Sequence, residues 1–164
     1  MADVIAFPVK FHKAFTSSES TPSMSRLFES DAQRYLRNYD DAMAYHDRAC
    51  QFELEGQRPS VIFNVAAVAI ECYLIALCAR FKVMPMNHSY GSLLEDATLL
   101  VRFPPELEEA VRALDKIFGI CSLDDYYHGV PEAEDAERSL HTCQALRKLI
   151  NGLPANMPGM VVIP

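Results

Sequence analysis

Two residues in this 164-residue sequence are best suited to chemistry, an acid and a histidine seventeen positions apart, Glu71 and His88. Glu71 sits inside the apolar run NVAAVAIECYLIALCARF, residues 64–81, where a bare carboxylate would cost several kcal/mol to bury. It must therefore be paired, hydrogen-bonded or protonated. The plainest role is a structural acceptor that ties loop or helix ends together; the sharper ones are a general base or a metal ligand. Helical residues advance by about 100° each, so Asn64, Glu71 and Cys78, spaced by seven, fall on one line with a drift of about 20° per step. Ser60 and Ala67 extend that line. His88 follows the bend after the run, from where an imidazole can fold back onto Glu71, and the pairing fails if the two lie on opposite sides of the fold. Arg80, at the end of the run, offers a nearby cation. Asn64, Glu71, Arg80 and His88 thus form the candidate ligand-binding set, and no residue is assigned a catalytic role.

Other groupings carry less. The segment DDYYH brings Asp124, Asp125 and His128 together in an expected acidic turn, with Tyr126 and Tyr127 partly buried. A hard cation needs more oxygen ligands than this trio supplies, so no metal site is expected. His46 and His141 fall near the apolar faces of helices and read as packed, hydrogen-bonded histidines. Phosphate-loop, dinucleotide, zinc-protease and serine-hydrolase patterns are absent, and no cofactor is expected. A nucleotide held in a helical groove would need none of those patterns. The five cysteines, at 50, 72, 78, 121 and 143, include no closely spaced pair, and four of them lie inside expected helices. They read as reduced core residues, which fits a cytoplasmic location.

The elements that must position these groups are helices. Ser30 followed by Gln33 matches a capping box, with an earlier start near Ser25 as an alternative. Tyr35, Leu36, Tyr39, Ala42, Met43, His46, Ala49 and Cys50 then give one apolar face. Gly56 stops this helix and Pro59 opens the next, which runs to about residue 82 and is apolar nearly all round. Such a helix is either the centre of a bundle or a membrane span. Asn64 and Glu71, together with amphipathic neighbours that need an apolar partner, point to the bundle centre rather than a membrane. A third helix carries Tyr90, Leu93, Leu94, Ala97, Leu100 and Val101 and ends at FPPE. A fourth runs from 105 to about 120 and a last one from 133 to 151, with Gly152 and Pro154 ending it. The expected architecture is all-α: a single-domain, up-and-down bundle of four long helices plus a shorter one. Residues 1–23 form an arm and loop, 24–152 the bundle and 153–164 an apolar, proline-broken tail.

The net charge of −7 lacks the broad positive field that non-specific nucleic-acid binding uses, so nucleic acid is not an expected partner. The opening MADVIAFPVKFHKAF has no basic region followed by a long apolar run and does not read as a secretory signal.

The stretch AAVAIECYLIALCARF followed by NHSYGSLLEDA resembles the HEPN family of small bacterial helical bundles. AQRYLRNYDDAMAYHDRACQFELEGQRP is similar to that family's first long helix and turn, and LDKIFGICSLDDYYHGVPEAEDAERSL to its fourth helix, tyrosine-rich turn and last helix. The likeness covers roughly residues 30–150. It places Glu71 and His88 at the family's recurring acid and histidine. It also implies a homodimer and a protein partner such as a small nucleotidyltransferase, or a nucleotide held near Glu71 and His88. Three features depart from it. Leu74 and Ile75 stand where many members carry a Lys after the acid. The ribonuclease members' Arg, four to six residues, then His has no counterpart, since Arg138 and His141 have only two residues between them. The turn DDYYHGVP lacks the Arg of the related Arg-Tyr-Pro turn. The expectation is therefore a non-enzymatic interaction module. The alternatives are a ribonuclease or phosphotransfer accessory using His88 or His128 with an Arg such as Arg80, or an unrelated helical bundle.

Overall fold

The computed structural model describes residues 29–117 and 130–154. The N-terminal arm, Cys121, the Asp124–Asp125–His128 turn and the tail from residue 155 lie outside the described residues, as does the expected continuation of the fourth helix to residue 120. The described chain is an all-helical bundle of five helices: α1 (Asp31–Leu54), α2 (Pro59–Arg80), α3 (Tyr90–Thr98), α4 (Pro105–Ile117) and α5 (Ala133–Gly152).

Local chemistry sets the boundaries. Ser30 Oγ accepts from Gln33 N at 3.2 Å, and Gln33 Oε1 accepts from Ser30 N at 2.9 Å, so two of the N–H groups at the start of α1 are satisfied reciprocally. Gly56 ends α1 at φ 68°. Gln57 N reaches Phe52 O and Gly56 N reaches Glu53 O, the pairing that closes a helix through a left-handed residue. Pro59 occupies the first turn of α2, where its missing N–H costs nothing.

The end of α2 repeats the device with a poorer residue. Val83 N donates to Cys78 O at 2.9 Å and Lys82 N to Ala79 O at 3.0 Å, so the helix stops at Arg80 and Lys82 takes φ 62°. A side chain with a Cβ is strained there by about 1–2 kcal/mol. Lys82→Gly is expected to stabilise the protein by about 1 kcal/mol after glycine's greater unfolded-state entropy is subtracted. An unchanged or lowered urea midpoint would mean that the left-handed turn is not what ends α2 in solution.

Twelve of the 22 residues of α2 are buried, and α1, α3 and α5 pack around it. By length and composition α2 could cross a membrane, yet 61% of its most apolar window is buried inside the bundle. The protein itself supplies the apolar surroundings that this helix requires. Each large side chain covered in this way contributes about 1.5–3 kcal/mol, and Phe63, Ile70, Tyr73, Leu74 and Leu77 on α2 are fully buried. On α1 the buried positions are Asn38, Ala42, His46 and Ala49. Leu36, expected on the same face, is 57% exposed, because it lies one residue and about 100° past Tyr35 at the edge of the stripe. Asn38 takes an inward position instead, its amide bonded to Arg34 O at 2.8 Å. The last helix runs one residue further than expected, through Gly152. Leu153 then turns extended (φ −75°, ψ 138°), as a residue before proline must.

Candidate functional site

The segment between α2 and α3 doubles back, and His88 Nδ1 meets Glu71 Oε1 at 2.8 Å. The pairing anticipated from sequence is therefore present in the fold. A carboxylate accepts from the ring, so Nδ1 is the donor, and Nε2 makes no hydrogen bond among the described residues. The Glu71 side chain is 20% exposed and that of His88 54%. The acid thus sits at the margin of the core rather than in it, on a strip of α2 that the returning chain half covers.

What places His88 lies largely on another helix. Asp115 of α4 accepts from Tyr90 N at 3.1 Å and from Gly91 N at 2.7 Å, putting a carboxylate at the positive end of α3. Gly91 makes this approach feasible, since a Cβ there would stand 2.8 Å from Asp115 Oδ2. The Tyr90 hydroxyl donates to Ala67 O at 3.1 Å, anchoring α3 one turn of α2 before Glu71. Asp115 is a positioning residue that sequence reasoning missed. On a linear chain it is one acid among many on an amphipathic helix, and only the α3–α4 contact gives it a role.

The other two candidates do not join the pair. Asn64 is exposed. The line Asn64–Glu71–Cys78 passes from solvent through half-burial into the core, and α3 meets α2 at Ala67, through the Tyr90 hydroxyl, and near Cys78, through Asp96. Arg80 follows Glu71 by nine residues, which turns it through about 900° to the opposite face of α2 and about 13 Å along the axis. There its guanidinium donates to Ile150 O at 3.2 Å, Leu153 O at 3.1 Å and Pro154 O at 2.7 Å, and it lies 5.6 Å from the centre of the Tyr35 ring. Arg80 caps the end of α5 and is not the cation of a site at Glu71. Among the described residues, the one side chain that hydrogen-bonds Glu71 is His88.

A different concavity, of about 700 Å3, opens between α1 and α5. The two helices run antiparallel beside it. Tyr39 Oη donates to Asn151 Oδ1 at 2.6 Å near one end, and Asp47 and Arg147 approach to 3.9 Å further along. His46, Asp47 and Glu53 line it from α1, and Glu137, Arg147 and Lys148 from α5. His46 is only 7% exposed, and its Nδ1 lies 3.3 Å from the Tyr73 hydroxyl, in accord with a packed, hydrogen-bonded histidine. His141 departs from that expectation: it is exposed on the α5 wall of the groove, because the buried positions beside it are Thr142 and Cys143. The groove was not visible in the sequence. Its residues recur at polar helical spacing on two helices some ninety positions apart, and each helix alone reads as a solvated flank.

Burial lowers the pKa of His46 below its ordinary 6.5, Arg147 acts in the same direction and Asp47 opposes them. The folded state thus favours the neutral ring, while the unfolded chain protonates it near the ordinary value. The associated stability is complete above about pH 6.5 and is lost as pH falls through that value towards the lower folded pKa. His46→Gln, which keeps an acceptor for Tyr73, is expected to show a smaller loss of urea stability between about pH 7.5 and about pH 5.5 than the parent protein. Equal losses would place the acid sensitivity elsewhere.

Cys50, Cys72, Cys78 and Cys143 are all free thiols. Burial, followed by the Glu71 charge, pushes Cys72 up to about 11, and burial followed by Asp96 pushes Cys78 up to about 12. Thiols held so far above neutrality are poor nucleophiles. Cys143 donates weakly to Ala66 O at 3.3 Å, so it joins α5 to α2. Among the described residues, no group of three His, Cys, Asp or Glu side chains is placed to hold a metal ion.

No protein-family model, curated protein or solved structure matches this chain.

Proposed function

We propose that this chain is a non-enzymatic, HEPN-like helical interaction module that works as a cytoplasmic homodimer and engages a protein partner, such as a small nucleotidyltransferase. The observation that carries the reading is the closed pairing of Glu71 with His88 while Arg80 is committed to the end of α5. Phosphate chemistry needs a cation beside its acid–base group to meet the charge that develops on the phosphate oxygens. The cation best placed by sequence faces the other way. A tight acid–histidine pair at the entrance to α3 acts instead as a clip between two helices, which suits a rigid surface for a partner.

Native mass spectrometry of the purified protein, set against its denatured mass, is the test. A dimer, with a second polypeptide retained when the partner is co-expressed, is the expected result. A monomer at every concentration tried removes the homodimer, and an additional few hundred daltons lost on denaturation moves the reading towards a bound nucleotide.

A second reading, a ribonuclease or phosphotransfer accessory, draws on one observation. The His88 Nε2 is left available while Nδ1 is held by Glu71, the orientation that a general base requires. Glu71→Gln and His88→Ala separate the two. Reduced stability without loss of any turnover favours the clip, and a stable protein that has lost turnover favours the enzyme.

A further inference from the structure

We propose that the cationic half of the α1–α5 groove is a binding site for an oxyanion, the phosphate or carboxylate of a small molecule, with the His46 Nε2–H as its fixed donor and Arg147 as its charged clamp. The tautomer follows from the Tyr73 hydroxyl. Tyr73 is fully buried, and burial raises its pKa, so the phenol stays protonated. Its one hydrogen-bond partner among the described residues is His46 Nδ1. We assign the bond with the buried O–H donating, the arrangement that satisfies its proton, so that Nδ1 accepts and the ring proton sits on Nε2. That nitrogen has no protein partner, yet no fully buried side-chain nitrogen or oxygen in the described residues is left unsatisfied. Nε2 therefore reaches solvent, and the open space that His46 lines is the groove.

Arg147 and Lys148 stand on the facing wall. Among the described residues, the acid that pairs with Arg147 is Asp47 at 3.9 Å, and the two side chains are 41% and 74% exposed. So loose and wet a pair holds little energy, and an incoming oxyanion exchanges it for a planar, two-toothed contact with the guanidinium. A donor anchored in the core beside a guanidinium still free to close is the arrangement that phosphate and carboxylate recognition uses. The concavity, about 700 Å3, lies within the range of small-molecule sites.

The groove also has a polarity. Glu137 precedes Arg147 by ten residues on α5, which puts it about 15 Å along the helix from the anion subsite, and Glu53 of α1 lines the same groove. These two carboxylates repel a second anionic group. The remainder of the ligand is therefore neutral or carries an amine.

The test is a titration of the isotope-labelled full chain with inorganic phosphate and, separately, with sodium acetate, at ionic strength held constant with chloride. The readout is the backbone resonances of residues 43–50 and 140–151 and the His46 ring. The expected result is a saturable shift confined to those segments, weakened about tenfold or more in Arg147→Gln by loss of the charged contact. Arg147 is partly exposed and its one ion pair among the described residues is loose, so this variant keeps the fold, which circular dichroism verifies. Saturation by phosphate alone assigns the site to phosphorylated ligands, saturation by acetate alone to carboxylates, and saturation by both to an unselective oxyanion subsite. Unsaturable shifts with both anions, or saturable shifts that Arg147→Gln leaves unchanged, overturn the proposal.

Discussion

Tyr90→Ala is expected to lower the unfolding free energy by about 3–5 kcal/mol, the range for removing a large aromatic side chain from a packed core. The ring is fully buried, so truncation leaves a void that the surrounding helices can only partly close. The variant also loses the hydroxyl's bond to Ala67 O. Tyr90→Phe isolates that second loss and should cost about 0.5–1.5 kcal/mol. Urea unfolding of the pair measures both. If the two variants lose the same stability, the ring is not what seats α3. The larger loss should come with a second sign, since α3 brings His88 to Glu71. In Tyr90→Ala the His88 ring resonances should move towards those of a free histidine even under conditions where the protein remains folded.

Arg80→Ala is expected to cost about 2–4 kcal/mol, because it removes three donations from one guanidinium to the last carbonyls of the described chain. Hydrogen bonds to a charged group contribute about 1.5–3 kcal/mol each when well formed. The sum is smaller here, because the outermost of the three is exposed and its carbonyl can turn to water. Arg80→Lys should recover little, since an ammonium is a point donor and cannot span three carbonyls in a fork. A chemical-denaturation comparison of the three proteins decides it. Full recovery by lysine would show that charge at the end of α5 matters and the planar geometry does not.

Most helix boundaries were legible because they depend on neighbours in the chain. Ser30 with Gln33 and Gly56 with Pro59 act through local backbone geometry, and the structure follows both, as it does the opening of α4 at Pro105; α3, expected to run to FPPE, stops instead at Thr98, so Leu100 and Val101 lie beyond it. The identity of α2 as the central helix was also legible, because an all-round apolar helix in a bundle has no solvent face to offer. The candidate site was half legible. Glu71 and His88 could be linked because one bend separates them. Asn64 and Arg80 were misplaced for opposite reasons. Asn64 shares the line of Glu71 on the helix but is exposed, one turn before Ala67, which the Tyr90 hydroxyl of α3 reaches. Arg80 is close in sequence yet half a turn away, and its partners come from a helix seventy positions on. Asp115 and the α1–α5 groove gave no local signal at all, since each exists only through the contact of two remote helices.

The clasp of Arg80 on Ile150, Leu153 and Pro154 has a consequence for the order in which the bundle assembles. Four residues separate α1 from α2, so their pairing closes a short loop. The contact between α2 and α5 closes one of about seventy residues, and the entropic cost rises with that length. The α1–α2 hairpin should therefore form early, leaving the flank of α2 around Ala66 bare until α5 docks and Cys143 covers it. During that interval the most apolar helix of the chain is available to any other apolar surface, including the same flank of another nascent copy. Because the clasp closes last, its loss should appear in kinetics as faster unfolding with a nearly unchanged folding rate. The arginine would then govern how long the finished bundle stays shut rather than how quickly it is built.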